Sequence, residues 1–146
     1  MGRASLPSTD VFINIPFDAK YERQFLALIA GIVGLGLNPR SVLEIPPSHD
    51  RLTGLLEIIR QCPNSIHDLS RVELSRGRAL RVPRFNMPFE LGLAVGIVLG
   101  QGSHEWRLLE TVPHRLNHSL SDVDGYDIRS RTITLSPGHA APPYQE

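Results

Sequence analysis

The chain is poor in several residues that would settle its class at once. Its single cysteine, Cys62, excludes a disulfide framework within one chain and makes a reducing cytoplasm the expected compartment. No basic start leads into an apolar signal segment. Lys20 is the one lysine among 15 basic residues, so Schiff-base or phosphate-lysine chemistry has a single candidate. The 15 acidic residues cancel the basic ones, so no global field recruits nucleic acid or an anionic membrane, and any anion site must be local. The longest apolar run, residues 87–99, falls short of the ~20 residues that span a bilayer, and it contains Glu90. Walker-type phosphate loops, the Gly-x-Gly-x-x-Gly fingerprint, the Gly-x-Ser-x-Gly elbow and Cys-x-x-Cys pairs are also absent. A phosphoacceptor receiver domain is set aside as well, since no lysine follows a later strand.

What is present suits one soluble domain of 146 residues. Its expected bounds are residues 10–128. Residues 1–9 read as a loose tail, and the Pro-rich residues 129–146 as a disordered one, apart from a short strand at 132–135. Asp10-Val11-Phe12-Ile13-Asn14-Ile15-Pro16-Phe17 is a nearly continuous apolar run, as in a strand buried on both faces of a parallel sheet. Phe25, Leu28, Ile29, Ile32 and Val33 recur at helical spacing, and Gly34 and Gly36 close that helix. Residues 40–45 read as a second strand stopped by Pro46-Pro47, and a helix follows from about Asp50 to Cys62. Residues 64–70 read as a third strand that turns polar at its end. Residues 104–109 read as a fourth with weak alternation, residues 113–120 as a short helix and residues 121–127 as turns.

Strands alternating with helices across short connections imply an α/β, flavodoxin-like (Rossmann-like) three-layer sandwich with a small parallel sheet in the order 2-1-3-4. In such a sheet the crevice lies beyond the carboxyl ends of the first and third strands. The loop after Phe17, the end of the third strand at Asp68, and the helix bearing Glu90 are expected to meet there.

Glu90 is the centre of that expectation. Pro88 suits the first turn of a helix, where its missing N–H costs nothing. Near such a start, the helix dipole favours an ionised Glu90 by about 0.3–1 kcal/mol. A carboxylate there is either a helix-start device or a catalytic group; apolar Phe89 and Leu91 beside it suggest an enclosed one, which suits stabilising or attacking positive charge at a sugar carbon. Asp68 either caps a turn or holds a ribose hydroxyl, and Asp18 either caps the first helix or contacts a hydroxyl. Tyr21 is either a surface residue or, like Phe17, a ring that covers a base. Five arginines lie between residues 71 and 84; they are either a solvated stretch, the commoner case for a charge run, or part of a loop that closes over the crevice, where Arg81 or Arg84 would grip a phosphate. Gly92, Gly96 and Gly100 line one stripe of the Glu90 helix, open to the sheet or to a second subunit. His114 and His118 lie four apart with no third metal ligand at useful spacing, so no metal is expected.

Three stretches, Asn14-Ile15-Pro16-Phe17-Asp18, Ile66-His67-Asp68-Leu69-Ser70 and Asn86-Met87-Pro88-Phe89-Glu90-Leu91-Gly92-Leu93-Ala94, together resemble the nucleoside 2-deoxyribosyltransferase and TIR-like group of bacterial nucleotide-binding proteins. There an Asp-Leu-Ser/Thr strand end is followed by an Asn-x-x-x-Glu-Leu-Gly-x-Ala helix start, and the similarity spans residues 10–127. It implies Glu90 at the position of the catalytic glutamate and Asp68 at that of a strand-end ligand-binding acid, with Asn86 opening the motif among the substrate-binding residues. It also implies cleavage or transfer at the N-glycosidic bond of a nucleoside, a nucleotide or NAD, the last as substrate rather than resident cofactor. The competing expectation is a nucleotide-sensing module of a bacterial defence or signalling system that binds without turnover. Both readings expect a homo-oligomer with no nucleic-acid polymer or membrane as partner.

Overall fold

A computed structural model describes residues 8–48, 50–70, 85–101, 104–110 and 116–124. Residues 1–7 of the expected tail, the connection carrying Arg81 and Arg84, His114, and the expected tail and strand beyond residue 124 lie outside the described residues.

The apolar run after Thr9 forms β1 (Asp10–Asn14), central in a four-stranded, all-parallel sheet of order β2-β1-β3-β4. Its neighbours are β2 (Asn38–Ser41) and β3 (Asn64–Asp68), and β4 (Glu105–Leu109) closes the far edge. This is the flavodoxin-type order, with the reversal of winding between β1 and β3. Side chains alternate across a strand, and the register puts Phe12 beside Ser65 and Asn14 beside His67 on one face. Val11, Ile13 and Ile66 occupy the other.

Helices cover both faces. Val11, Ile13 and Ile15 pack against Ile32 of α1 (Glu22–Gly34), with Phe25, Leu28 and Ile29 partly buried beside them. On the opposite face Phe12 packs against Leu55, Ile58 and Ile59 of α2 (Arg51–Gln61) and Ala94 of α3 (Asn86–Gln101). Leu108 of β4 meets Met87 and Leu91 of α3. Helix, sheet and helix make the three layers expected.

Several element ends differ from the sequence expectation for identifiable reasons. The second strand stops at Ser41 because Ser41 and Glu44 form a capping box: the Ser41 Oγ accepts from Leu43 N at 3.3 Å, and Ser41 N donates to Glu44 Oε1 at 2.8 Å. Val42–Glu44 becomes a 3₁₀ turn, and Val42 enters the core. Pro39 is tolerated in β2 because β2 is an edge strand. Helix α1 ends in a Schellman motif with Gly36 at φ 73°, where Leu37 N reaches Ile32 O at 3.1 Å. Val33, expected on the buried face of α1, is exposed. Asp50 caps α2 through Thr53 N at 3.1 Å.

Strand β4 alternates as an edge strand should. Trp106 and Leu108 pack inward, while Glu105 and Arg107 pair in solvent at 2.8 Å. The segment expected as turns after Leu120 contains a short helix, α5 (Ser121–Asp124), following α4 (Leu116–Ser119). Leu120 and Val123 pack on the Leu69, Met87, Leu91 and Leu108 cluster, so burial overrides the turn-forming residues.

Candidate functional site at the carboxyl edge of the sheet

Helix α3 begins where Phe89 N donates to Phe85 O at 2.9 Å, which puts Pro88 third in the helix, where its missing N–H is no loss. Met87, Glu90, Leu91 and Ala94 follow a 3-4 spacing, and all four are buried. Glu90 is therefore the one charged residue of α3, and it faces inward, 6% exposed. It is the fifth residue of the helix and lies beyond the first turn, so the dipole stabilisation expected for it has largely faded. Desolvation dominates and pushes its carboxyl up to about 7, against a smaller downward pull from Arg51 at the start of α2. The sequence expectation of an ionised group held by the dipole is thereby corrected: burial wins, and Glu90 titrates near neutrality.

The start of α3 sits on the carboxyl ends of β1 and β3. Asn14 Nδ2 donates to the Met87 carbonyl at 2.9 Å and lies 3.0 Å from His67 Nδ1. From there a chain of polar contacts crosses the sheet beneath α3. His67 Nε2 lies 2.9 Å from Ser65 Oγ, Ser65 Oγ 2.7 Å from His104 Nε2, and His104 Nδ1 2.6 Å from the Cys62 carbonyl. All four side chains are buried. Burial, and secondarily the charge of His104, lowers the pKa of His67 to about 3. Burial lowers that of His104 against an opposing bond to the Cys62 backbone.

Asp68 ends β3 and is buried, and its Oδ1 accepts from Ser70 N at 2.7 Å in an Asx turn. Alternation assigns it to the α1 side of the sheet, whereas Asn14 and His67 lie on the α3 side. Leu69, next in the chain, packs between Met87 and Leu91, the residues on either side of Glu90 along the buried face of α3. Asp68 and Glu90 thus reach the same sheet edge from opposite faces.

The first loop reaches that edge from the α1 side. Asp18 Oδ1 accepts from Lys20 N at 3.2 Å, and Tyr21 N donates to Asp18 O at 2.8 Å, so Asp18 organises the turn before α1. The helix itself is capped at Tyr21 without a side-chain bond, so the capping role expected of Asp18 is replaced by this turn. The Phe17 ring meets Phe25 edge-on with centroids 5.2 Å apart and keeps part of its surface open. Tyr21 is buried, with the Lys20 ammonium 5.9 Å from its ring centre. That leaves Phe17, and not Tyr21, with ring surface to offer a base. Asn86 is exposed as the first residue of α3.

No protein-family model matches the chain, and no curated protein does. Among solved structures the chain is similar to the TIR domain of the Toll-related receptor TRR-2 from Hydra magnipapillata. The two share 14% identity at a TM-score of 0.42, over 80% of this chain and 89% of that one.

Sequence pattern does not single out Asn14, Ser65 and His104 as site residues, although a signal exists. Asn14 is polar within a β-branched run, and Ser65 and His67 share the period-2 positions of a buried strand. Buried polar groups at such positions need hydrogen-bond partners, and here they are partners to one another.

Proposed function

We propose that the protein cleaves or transfers at the N-glycosidic bond of a nucleoside, a nucleotide or NAD. Glu90 acts as nucleophile or oxocarbenium stabiliser, and Asp68 and Asp18 orient the sugar. Phe17 covers the base, Asn86 contacts the substrate at the mouth of the crevice, and Arg81 or Arg84 meets phosphate where one is present. The observation that carries this reading is Glu90 itself: a buried carboxyl titrating near 7 at the carboxyl edge of a parallel sheet, beside its winding reversal. Such a group costs stability when ionised, and a charge developing on a sugar offsets that cost in the transition state. Incubation with NAD, nucleoside monophosphates and deoxynucleosides, followed by chromatography for free base, tests the proposal. Release that persists undiminished in Glu90→Gln would remove Glu90 from the chemistry.

The second reading, binding without turnover, draws on the same titration. At or below pH 7 much of Glu90 is neutral and able to donate a hydrogen bond, as a binding group requires. Nucleotide binding by calorimetry with no base released over days selects it.

Self-association belongs to both readings. The outward face of α3 carries no charge, and it exposes Phe85, Phe89 and Leu99 beside Gly92, Gly96 and Gly100. The glycine stripe faces away from the sheet, and among the described residues nothing lies within 4 Å of a Cβ placed at any of its three positions. The pattern is symmetric about Ala94, so antiparallel pairing with a second copy sets Gly92 against Gly96 and Phe89 against Leu99. Zero net charge leaves no long-range repulsion between copies.

A further inference from the structure

We infer that Asn14, His67, Ser65 and His104 form one hydrogen-bond relay of fixed direction, and that Asn14, at its end, is the positioning residue whose own bond to Met87 aims the start of α3 and so Glu90. The importance of aiming Glu90 rests on the function proposed above; the relay itself does not.

The direction follows from the two ends. Both are backbone carbonyls, Met87 O and Cys62 O, and a carbonyl only accepts. At the first end, Asn14 must present its Nδ2 to Met87 O, and the other Nδ2 proton then points at His67 Nδ1, 3.0 Å away. His67 Nδ1 must therefore be bare, and its proton sits on Nε2, donated to Ser65 Oγ. At the second end, His104 must carry its proton on Nδ1 to serve Cys62 O, which leaves His104 Nε2 bare to accept from the Ser65 hydroxyl. The two deductions start at opposite ends and meet at Ser65, which accepts once and donates once. With both imidazoles neutral, every ring nitrogen and both Asn14 amide protons have a partner. No other single-proton arrangement achieves this.

The relay links three strands to one helix, since Asn14 closes β1, Ser65 and His67 lie in β3, and His104 precedes β4. Its hydrogen bond to α3 is the one from Asn14 to Met87, one turn before Glu90 on the same buried face. Replacing the Asn14 amide removes that anchor, whereas replacing Ser65 cuts the relay behind it and leaves the anchor in place.

Long-range ¹H–¹⁵N NMR of the intact wild-type chain at neutral pH reads the direction without any substrate. The expected result is the Nε2–H tautomer at His67 and the less common Nδ1–H tautomer at His104. A reversed tautomer at either residue, or an imidazolium at neutral pH, overturns the relay. Titration of the ¹³C-labelled Glu90 carboxyl reads the positioning. In Asn14→Leu water reaches Glu90, and its midpoint drops by about one pH unit or more toward the ordinary carboxylate range; in Ser65→Ala it stays at the wild-type value. Equal midpoints in wild type and Asn14→Leu overturn the positioning role. If Asn14→Leu does not fold, Asn14→Asp serves instead. Its carboxylate cannot donate to Met87 O and meets the bare His67 Nδ1 as a second acceptor, so a proton is expected on His67 Nδ1, and an unprotonated Nδ1 there overturns the assignment. Tautomers and midpoints as expected, with no base released from any nucleotide, reject the enzymatic function and leave the relay standing.

Discussion

Glu90 exchanges water for the inner face of α3, and the exchange has a sign that stability measurements can read. Its carboxyl rises from 4.5 toward about 7 on folding, so the folded chain binds the extra proton between those values. Stability from this group is fully present below the unfolded value, falls as pH rises through the window, and is lost above the folded value. The loss is on the order of 3 kcal/mol, since each tenfold change in proton affinity is worth about 1.4 kcal/mol. Glu90→Gln keeps the shape and removes the titration. Chemical denaturation should therefore find the variant more stable than wild type at pH 8 by up to that amount and little changed at pH 4, and equal stability at both pH values would mean Glu90 is not desolvated. The proposed reaction needs the ionised form, so base release should rise with pH through about 7; a fall over that range would assign Glu90 as a proton donor instead. The sequence showed a carboxylate beside Pro88 at a helix start. It did not show that burial would outweigh the dipole, because burial depends on which face of α3 turns inward, and that face is set by Leu69 and Leu108 from distant parts of the chain.

At the scale of elements, β3 and α3 carry titrations of opposite sign. His67 falls from 6.5 toward about 3 on folding, so the unfolded chain binds the extra proton, and stability rises with pH between those values. From about 4.5 to 6.5 that rise opposes the fall due to Glu90, and His104, also lowered, adds to the rise. His67→Gln should remove one of the two rises that oppose Glu90, so that between about pH 4.5 and 6.5 the stability of the variant rises less steeply with pH than that of wild type; a profile parallel to wild type would exclude a neutral buried His67. Cys62, at the end of α2, belongs to the same region. Desolvation pushes its thiol up to about 12, so it should resist alkylation at pH 8 until denaturant opens the fold, as mass spectrometry would show. Strand order was legible here from the continuous apolar run of β1 and the alternation with helices. The end of β2 was written as Ser41-x-x-Glu44, yet Val42 and the Pro46-Pro47 stop read as strand, and the capping box decided the matter locally. The relay was illegible for a different reason. Each member is an ordinary polar residue in its own element, and only the register of β1 with β3 and of β3 with β4 sets them side by side.

Across the whole molecule the two helix layers leave different kinds of surface. The glycine stripe of α3 could be read from spacing alone, but whether it faced the sheet or a second copy depended on which residues of α3 the core would take. Met87, Glu90, Leu91 and Ala94 turn inward, so Gly92, Gly96 and Gly100 turn outward. No described helix is long and apolar enough to cross a membrane, so the stripe is not part of a spanning segment among the described residues. The open space at Gly96 separates two effects that a single substitution usually mixes. Within one copy, Gly96→Ala meets no neighbour among the described residues and gains helix propensity, which stabilises the folded chain by about 0.5–1 kcal/mol. Between two copies, the added methyl groups hold the helices apart where Gly92 and Gly96 are set together. Light scattering across a concentration series should therefore show the variant dissociating at higher concentration than wild type, while its dilute unfolding midpoint moves upward. A wild-type chain that stays monomeric throughout, with Gly96→Ala merely more stable, would reject the pairing and leave α3 with a helix face exposed to water.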